Sequence, residues 1–360
     1  MAASTAPAVD VNLFVFNGEK TIADAIECIA AQTWPNLRLT VIDNGSTDRT
    51  TDIVAGYARR LDWVRLTASR VNTGAVLNCQ RAFWHGDADF VMPKTADDIL
   101  APDFVERVMA VLLAHPDCAM CHAGGLVFSG AGTVHHVYPE AHRLAAVGPD
   151  PVDRAVHVMT RYTSAPSFWG IYRRDAVNRL SRIPYRAGWD HAVLAELALY
   201  GEIRHVPELL FWRRDGGKDV GILARSCTAS AQRGLAADDA LADLRWTTPL
   251  ITTAYAHIEV FALARVDEAA RRRLLQDARR VFRGRWLPGL RQEAAAFRSA
   301  LPDRIARLAA EDGVPAMWMA RHLADAMTAI ETMLPEVAFT AERLEIAMLA
   351  AHRARMACGG

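Results

Sequence analysis

No stretch of this 360-residue chain is an uncharged apolar run of membrane-spanning length, so no integral membrane segment is expected. Neither sign of charge dominates, since Lys plus Arg and Asp plus Glu each total 41. That balance lacks the electrostatic footprint of a general nucleic-acid binder, and nucleic acid is not an expected partner. The first ten residues, Met1–Asp10, have neither the basic start nor the apolar centre of a secretory signal, which predicts a cytoplasmic protein. Cysteine is sparse: six residues lie scattered, with no spacing that suggests a disulfide framework. One short pattern, Cys118-Ala119-Met120-Cys121-His122, matches the attachment sequence for c-type haem. Such attachment follows export, and Ala119–Phe128 reads as a buried strand, so a coincidence of core residues is the better explanation.

Apolar residues are plentiful, at 51% against 23% charged, and the chain is long enough for a large domain with an appendage. The first half alternates short apolar runs with segments of helical spacing. Strands are expected at Val11–Phe16, Leu37–Ile42, Val64–Thr67 and Ala88–Met92. Helices are expected at Thr21–Gln32, Thr50–Leu61, Gly74–Trp84 and Ala101–Ala114. This rhythm predicts a mainly parallel sheet covered by helices on both faces. Gly130–Asp153 reads as a surface loop, Val152–Tyr162 as a helix, and His191–Tyr200 as a helix stopped by Gly201. Beyond about residue 222 the pattern becomes all-helical, with helices expected at Ala236–Leu244, Leu250–Arg265, Glu268–Arg283, Gln292–Leu301, Ala316–Met333 and Ala341–Met356. Pro249, Pro288, Pro302, Pro315 and Pro335 punctuate them. The expected domains are therefore residues 1–222 and a helical extension, 223–360. Its aromatic residues, Trp246, Tyr255, Phe261, Phe282, Trp286 and Trp318, predict packing on the first domain or on a second copy of the chain, as in a homodimer.

Five segments carry candidate chemistry. The run Leu37–Ile42 ends at Asp43, followed by the polar turn Asn44-Gly45-Ser46-Thr47. A carboxylate at the C-terminal end of such a strand is where open α/β sheets bind ligands, and Asp43 could accept from a base or ribose. Asn72-Thr73-Gly74 joins a strand to a helix, where Gly74 permits close approach of a phosphate or sugar. Ala96-Asp97-Asp98 follows another strand. Adjacent carboxylates of this kind suit Mg²⁺ or Mn²⁺ completed by substrate phosphates, with a plain helix start as the competing reading. Gly188-Trp189-Asp190-His191 opens a helix, with Asp190 either an N-cap or a general base and Trp189 a sugar-stacking wall. Phe211-Trp212-Arg213-Arg214-Asp215-Gly216-Gly217-Lys218 reads either as a mobile diphosphate clamp or as a solvated basic turn.

Taken in order, these segments resemble family 2 glycosyltransferases. Phe16-Asn17-Gly18-Glu19-Lys20-Thr21 is similar to that family's first-strand turn, and Ala31-Gln32-Thr33 to the end of its first helix. Asp43-Asn44-Gly45-Ser46-Thr47-Asp48-Arg49-Thr50 is close to its most distinctive sequence. Asn72-Thr73-Gly74 resembles its third turn, Ala96-Asp97-Asp98 its metal motif, and Asp190 falls at its acceptor-activating carboxylate. The likeness covers roughly residues 9–220 and implies a GT-A fold and inverting transfer from a nucleotide-diphosphate sugar, a UDP-sugar favoured. It implies that Asp43 contacts the base, Asp97 the ribose or sugar, and Asp98 a Mn²⁺ or Mg²⁺ ion. Phe16, Asn17, Asn44, Arg49, Asn72 and Gly74 would line the nucleotide pocket. Arg213 or Arg214 would offset charge on the leaving diphosphate, and Asp190 would take the acceptor's proton. Trp169, Trp189 and His191 become candidates for an acceptor site whose ligand stays open.

The chain departs from the family pattern in three places. Only two of the three metal-motif positions are acidic, Cys28 stands where many relatives have Ser, and Asp215-Gly216 stands where relatives often place a His metal contact. Two rival readings remain. A sugar nucleotidyltransferase would want a Gly-rich basic loop after the first strand, whereas Asn17-Gly18-Glu19-Lys20 is short and acidic. A silent nucleotide-sugar-binding or assembly protein would not need the catalytic carboxylates.

Overall fold

A computed structural model describes residues 6–130, 132–140, 143–161, 165–184, 188–215, 249–310 and 325–337. They divide into two compact units, Met1–Ile183 with Val193–Asp219, and Pro184–Ala192 with Val220–Gly360.

The first unit is built on strands β1 (Val9–Val15), β2 (Leu37–Asp43), β3 (Val64–Ala68) and β4 (Phe90–Thr95), then β5 (Ile99–Leu100), β6 (Cys118–Ser129), β7 (Thr133–Val137), β8 (Gly170–Arg173) and β9 (Glu202–Arg214). They lie in the order β3-β2-β1-β4-β8-β6-β9-β5, with β7 paired to β6. The β3-β2-β1-β4 half is wholly parallel, because each connection runs through a helix: α1 (Ile22–Ala30), α2 (Thr50–Ala58) and α3 (Ala75–Trp84). Parallel strands covered on both faces read as continuous apolar runs. Accordingly Val9, Val11, Leu13, Leu39, Val41 and Met92 join Ile22, Ile26 and Phe104 in one core. The other half is mixed, since β8 runs antiparallel to both β4 and β6 while β6 and β9 are parallel.

Two buried polar side chains in β1 are held by specific partners. Asp10 receives Arg38 Nε at 2.8 Å and Arg174 Nη2 at 2.9 Å. Asn12 donates to the carbonyls of Ala82 and His85. Removing one of the two arginines would leave a buried charge short of a partner, the costly way to break such a network. The cysteine pattern lies inside the sheet: Cys118, Cys121 and His122 are buried within β6, and His122 Nε2 lies 2.8 Å from the Leu144 carbonyl. They are core residues.

Several expected elements change. The loop expected over Gly130–Asp153 contains β7, whose five residues are all exposed, so it offered no apolar signal. The basic loop expected at Phe211–Lys218 begins as strand, because β9 runs to Arg214; Lys218 lies outside the described residues. The Asp97-Asp98 pair does not start a helix. It leads into β5, and helix α4 (Phe104–Ala114) starts after Asp103.

The second unit is helical where described, with helices Pro249–Leu263, Glu268–Val281 and Leu287–Ala310. A π-helical turn, Phe282–Trp286, joins the last two. Pro302 does not end its helix, which continues to Ala310. Residues 325–333 are also helical. The expected helices at Ala236–Leu244 and Ala341–Met356, part of Ala316–Met333, and Trp246 and Trp318 lie outside the described residues. Among the described residues no helix is long and apolar enough to cross a membrane.

Candidate active site

The C-terminal ends of β1 and β2 carry two loops that are zipped together. Asn17, the only described non-glycine residue at positive φ (51°), donates its backbone N–H to Ser46 Oγ and accepts the Thr47 N–H on Oδ1, each at 2.8 Å. Gly18 N–H reaches Thr50 Oγ1 at 2.8 Å, Glu19 N–H reaches Asp48 Oδ2 at 3.0 Å, and Arg49 N–H returns to Glu19 Oε2 at 3.2 Å. Such a strained asparagine at a strand end is held only because its surroundings over-determine it. Phe16 is half-buried and the Arg49 side chain is exposed.

Asp43 closes β2 and is 1% exposed. Its Oδ2 accepts the N–H groups of Gly45 and Ser46, each at 3.0 Å, while its Oδ1 is buried without a hydrogen-bond partner. A buried acceptor left unpaired costs about 1–3 kcal/mol, so this atom calls for a donor from a ligand or from water. Gly45 sits at φ 78°, and a Cβ there would stand 2.8 Å from the Val71 carbonyl carbon, which is why the turn needs glycine. The third loop is pinned to the second through Asn44, which is buried. Its Nδ2 donates to Asn72 Oδ1 at 2.7 Å, and its Oδ1 accepts both the N–H and the hydroxyl of Thr73. Asn72 Oδ1 also accepts the Gly74 N–H at 2.8 Å. Asn44 and Asn72 are therefore braces that fix the loops around Asp43.

The second focus is the turn after β4. Asp97 is exposed and Asp98 buried. Asp98 Oδ2 accepts from Thr95 Oγ1 at 2.7 Å and Oδ1 from the Arg214 backbone N–H at 3.1 Å. Burial pushes its carboxyl up to about 6, with the Asp97 charge adding to the effect and Thr95, Lys94 and Arg214 opposing it. The two arginines at the end of β9 have different duties. Arg214 is committed: its Nε donates to the Asp97 carbonyl at 3.0 Å, its Nη2 pairs with Asp24 Oδ2 at 2.8 Å, and its guanidinium lies 5.1 Å from the Phe128 ring centre. Arg213 instead donates from Nη1 to the Tyr138 hydroxyl at 3.1 Å. Burial works against its charge, but Tyr138, Asp98 and Asp97 together hold its pKa above the usual arginine value.

Asp98 fits a divalent ion. Each of its oxygens carries one protein hydrogen bond, whereas a carboxylate offers about four acceptor sites, and the displaced pKa marks a place that favours added positive charge. No group of three or more His, Cys, Asp or Glu side chains gathers as a metal cluster among the described residues. A Mg²⁺-type site needs none, because one or two carboxylates plus substrate phosphates suffice.

Sequence reading missed two residues here. Lys94, 3% exposed, donates from its ammonium to the carbonyls of Thr95 and Asp98 and so ties the turn from beneath. A lysine inside an apolar strand was the available signal. Tyr138 lay in the supposed loop and gave none. Trp169 lines a small cavity with Lys94 and Thr95, and its ring centre lies 6.0 Å from that of Phe14.

Asp190, Trp189 and His191 belong to the second unit. The helix α5 (Trp189–Tyr200) starts earlier than expected, so Asp190 stands in its first turn and is not the N-cap. Gly188, at φ 75°, precedes it, and a Cβ there would collide with Thr253 at 2.1 Å. His191 Nδ1 lies 2.9 Å from His257 Nε2, and His257 Nδ1 lies 2.9 Å from the Thr253 carbonyl.

Residues 11–162 match the family model described as Glycosyl transferase family 2. A provisionally named glycosyltransferase of Bacillus subtilis, EpsE, is 29% identical over 130 residues, covering 36% of this chain and 47% of that protein. An uncharacterized glycosyltransferase of Escherichia coli, YibD, is 26% identical over 178 residues, covering 49% and 51%. The matches thus span about half the length of these curated relatives. Among solved structures, residues 1–349 of S. aureus TarS superpose with a TM-score of 0.55 at 15% identity, covering 96% of this chain and 89% of that one. The same protein in complex with UDP-GlcNAc gives a TM-score of 0.57 at 14% identity. At that identity the likeness shows the fold, a GT-A type α/β sheet.

Proposed function

We propose, from the match of residues 11–162 to the Glycosyl transferase family 2 model and from the GT-A fold, that the chain transfers a sugar from a nucleotide-diphosphate donor to an acceptor nucleophile with inversion. The observation that carries this reading is the Asp43 carboxylate. One of its oxygens is spent on the turn and the other is buried without a partner, at the strand end where the two zipped loops meet. A lone carboxylate acceptor suits the imide N–H of a pyrimidine base, which favours a uridine nucleotide.

In this reading Asp97 faces the ribose or the sugar, and Arg213 holds positive charge toward the departing diphosphate, an electrostatic contribution aimed at charge that develops in the transition state. A divalent ion held by Asp98, when bound, would supply further neutralisation of that charge. Arg214, the Thr95 hydroxyl and Lys94 keep the Asp97-Asp98 turn in shape. The acceptor oxygen attacks the anomeric carbon as its bond to the diphosphate oxygen breaks, and Asp190 takes the acceptor's proton. A single in-line displacement inverts the anomeric centre.

The test is a panel of nucleotide sugars with Mn²⁺ or Mg²⁺, read by thermal stabilisation and by release of nucleoside diphosphate. Stabilisation and release with one nucleotide class are expected. A panel without effect on either readout would remove the donor reading altogether.

A further inference from the structure

Arg213 and Arg214 are neighbours on one strand, so their side chains leave it on opposite faces. Arg214 has its donors engaged by Asp24 and the Asp97 carbonyl. Arg213 has one recorded hydrogen bond among the described residues, to the Tyr138 hydroxyl. The phenol oxygen accepts there, which leaves the phenol's own proton to be given elsewhere.

Tyr138 reaches this position because of the hairpin formed by β6 and β7. Its backbone N–H donates to the Gly125 carbonyl at 3.1 Å, just past the last paired residue of β7. The His136 ring meets the Tyr138 ring edge-on, with centroids 5.2 Å apart. The pairing shifts register between Val127 and Phe128, an irregularity of the type that re-aims side chains beside sites. The hairpin is otherwise hard to account for by packing, since every β7 residue is exposed, Val134 at 51% and Val137 at 47%. Its best-anchored product is the contact between Tyr138 and Arg213.

We propose that Tyr138 is a positioning residue for the transfer: its hydroxyl oxygen, by accepting from Arg213 Nη1, holds the guanidinium toward the donor's diphosphate. The inference rests on the donor reading above, because it takes the diphosphate as the anion that Arg213 meets. A guanidinium on a long side chain loses rotamer freedom when it binds. A neighbour that fixes it beforehand lets more of each hydrogen bond reach the bound state.

The experiment measures UDP, GDP, CDP and dTDP binding to the full chain by calorimetry, for wild type, Tyr138→Phe, Arg213→Ala and the double variant. Unfolding temperatures and the KM and kcat for donor turnover are measured on the same proteins. Tyr138→Phe keeps the ring and should leave the unfolding temperature unchanged. It should weaken the preferred diphosphate by about tenfold, the scale of a hydrogen bond to a charged group. In the Arg213→Ala background the same change should cost about twofold or less, because the group being positioned is gone. Unchanged affinity in Tyr138→Phe, or an equal loss with and without Arg213, overturns the positioning role while leaving the donor reading intact. A wild type that binds none of the four diphosphates overturns both.

Discussion

His191 and His257 face each other ring nitrogen to ring nitrogen at 2.9 Å, and the geometry settles which one donates. The Thr253 carbonyl can only accept, so the proton on His257 is at Nδ1. His257 Nε2 therefore accepts from His191 Nδ1–H. Burial among Phe261, Phe282 and Trp286 pushes His257 down to about 4, and protonation would set two N–H groups against each other.

This pair makes the helical unit sensitive to acid. A histidine with a depressed folded pKa contributes stability that is present above its ordinary value of 6.5 and lost as pH falls toward about 4. A shift of this size corresponds to about 3 kcal/mol, as an order of magnitude. Glu293 acts oppositely. Burial raises it to about 7 although it accepts from the Leu250 and Ile251 N–H groups, so its contribution is full below 4.5 and lost as pH rises through about 7. Unfolding temperatures recorded between pH 7.5 and 4.5 should therefore fall more steeply on the acid side in Glu293→Gln than in wild type. Parallel curves would show that Glu293 does not titrate in this window.

Asp43→Asn tests the base contact. The amide oxygen can still accept from Gly45 and Ser46, so the turn should persist and the unfolding temperature should move by only a few degrees. The amide nitrogen then lies where a lone carboxylate oxygen was, presenting a donor to a donor. Nucleoside diphosphate affinity should drop by about tenfold to a hundredfold. Full retention of affinity would mean that the free Asp43 oxygen serves water and not a base.

For Asp98, the informative variant is Asp98→Asn with and without EDTA. Because its oxygens accept from Thr95 and from the Arg214 backbone, the isosteric amide should preserve more of the turn than alanine would. Excess EDTA should weaken nucleotide binding by wild type and leave the weaker binding of Asp98→Asn unchanged. If EDTA has no effect on wild type, the ion assigned to Asp98 is wrong.

Much of this site was legible because its signals are local. Asp43 ends an apolar run, Asn72-Thr73-Gly74 sits between a strand and a helix, and Asp97-Asp98 follows a strand; each is read within ten residues. What escaped depends on distant partners. Asp98 is buried because β5 pairs with β9, which brings Arg214 from 116 residues away onto its carboxylate. The strand β9 hides its identity, since Pro207 and Glu208 interrupt it and its burial does not alternate cleanly. An exposed hairpin strand such as β7 has no apolar pattern at all, and with it went Tyr138.

Asp190→Asn is the sharpest test of the chemistry. Asp190 lies in the first turn of α5, where a negative charge is favoured by the helix dipole by about 0.3–1 kcal/mol. A purely structural Asp190 would therefore show its loss on becoming an amide in the unfolding temperature, with transfer intact. A general base loses its function outright, because an amide cannot take the acceptor's proton, and transfer should slow by roughly 10²–10⁴-fold. Nucleotide affinity should be unchanged in either case, since the residues proposed for the nucleotide, Asp43 and the loops braced to it, lie in the first unit. The decisive comparison is the transfer rate of Asp190→Asn against its nucleotide affinity on the same preparation. Near-normal transfer to the true acceptor would place the proton acceptor on another side chain.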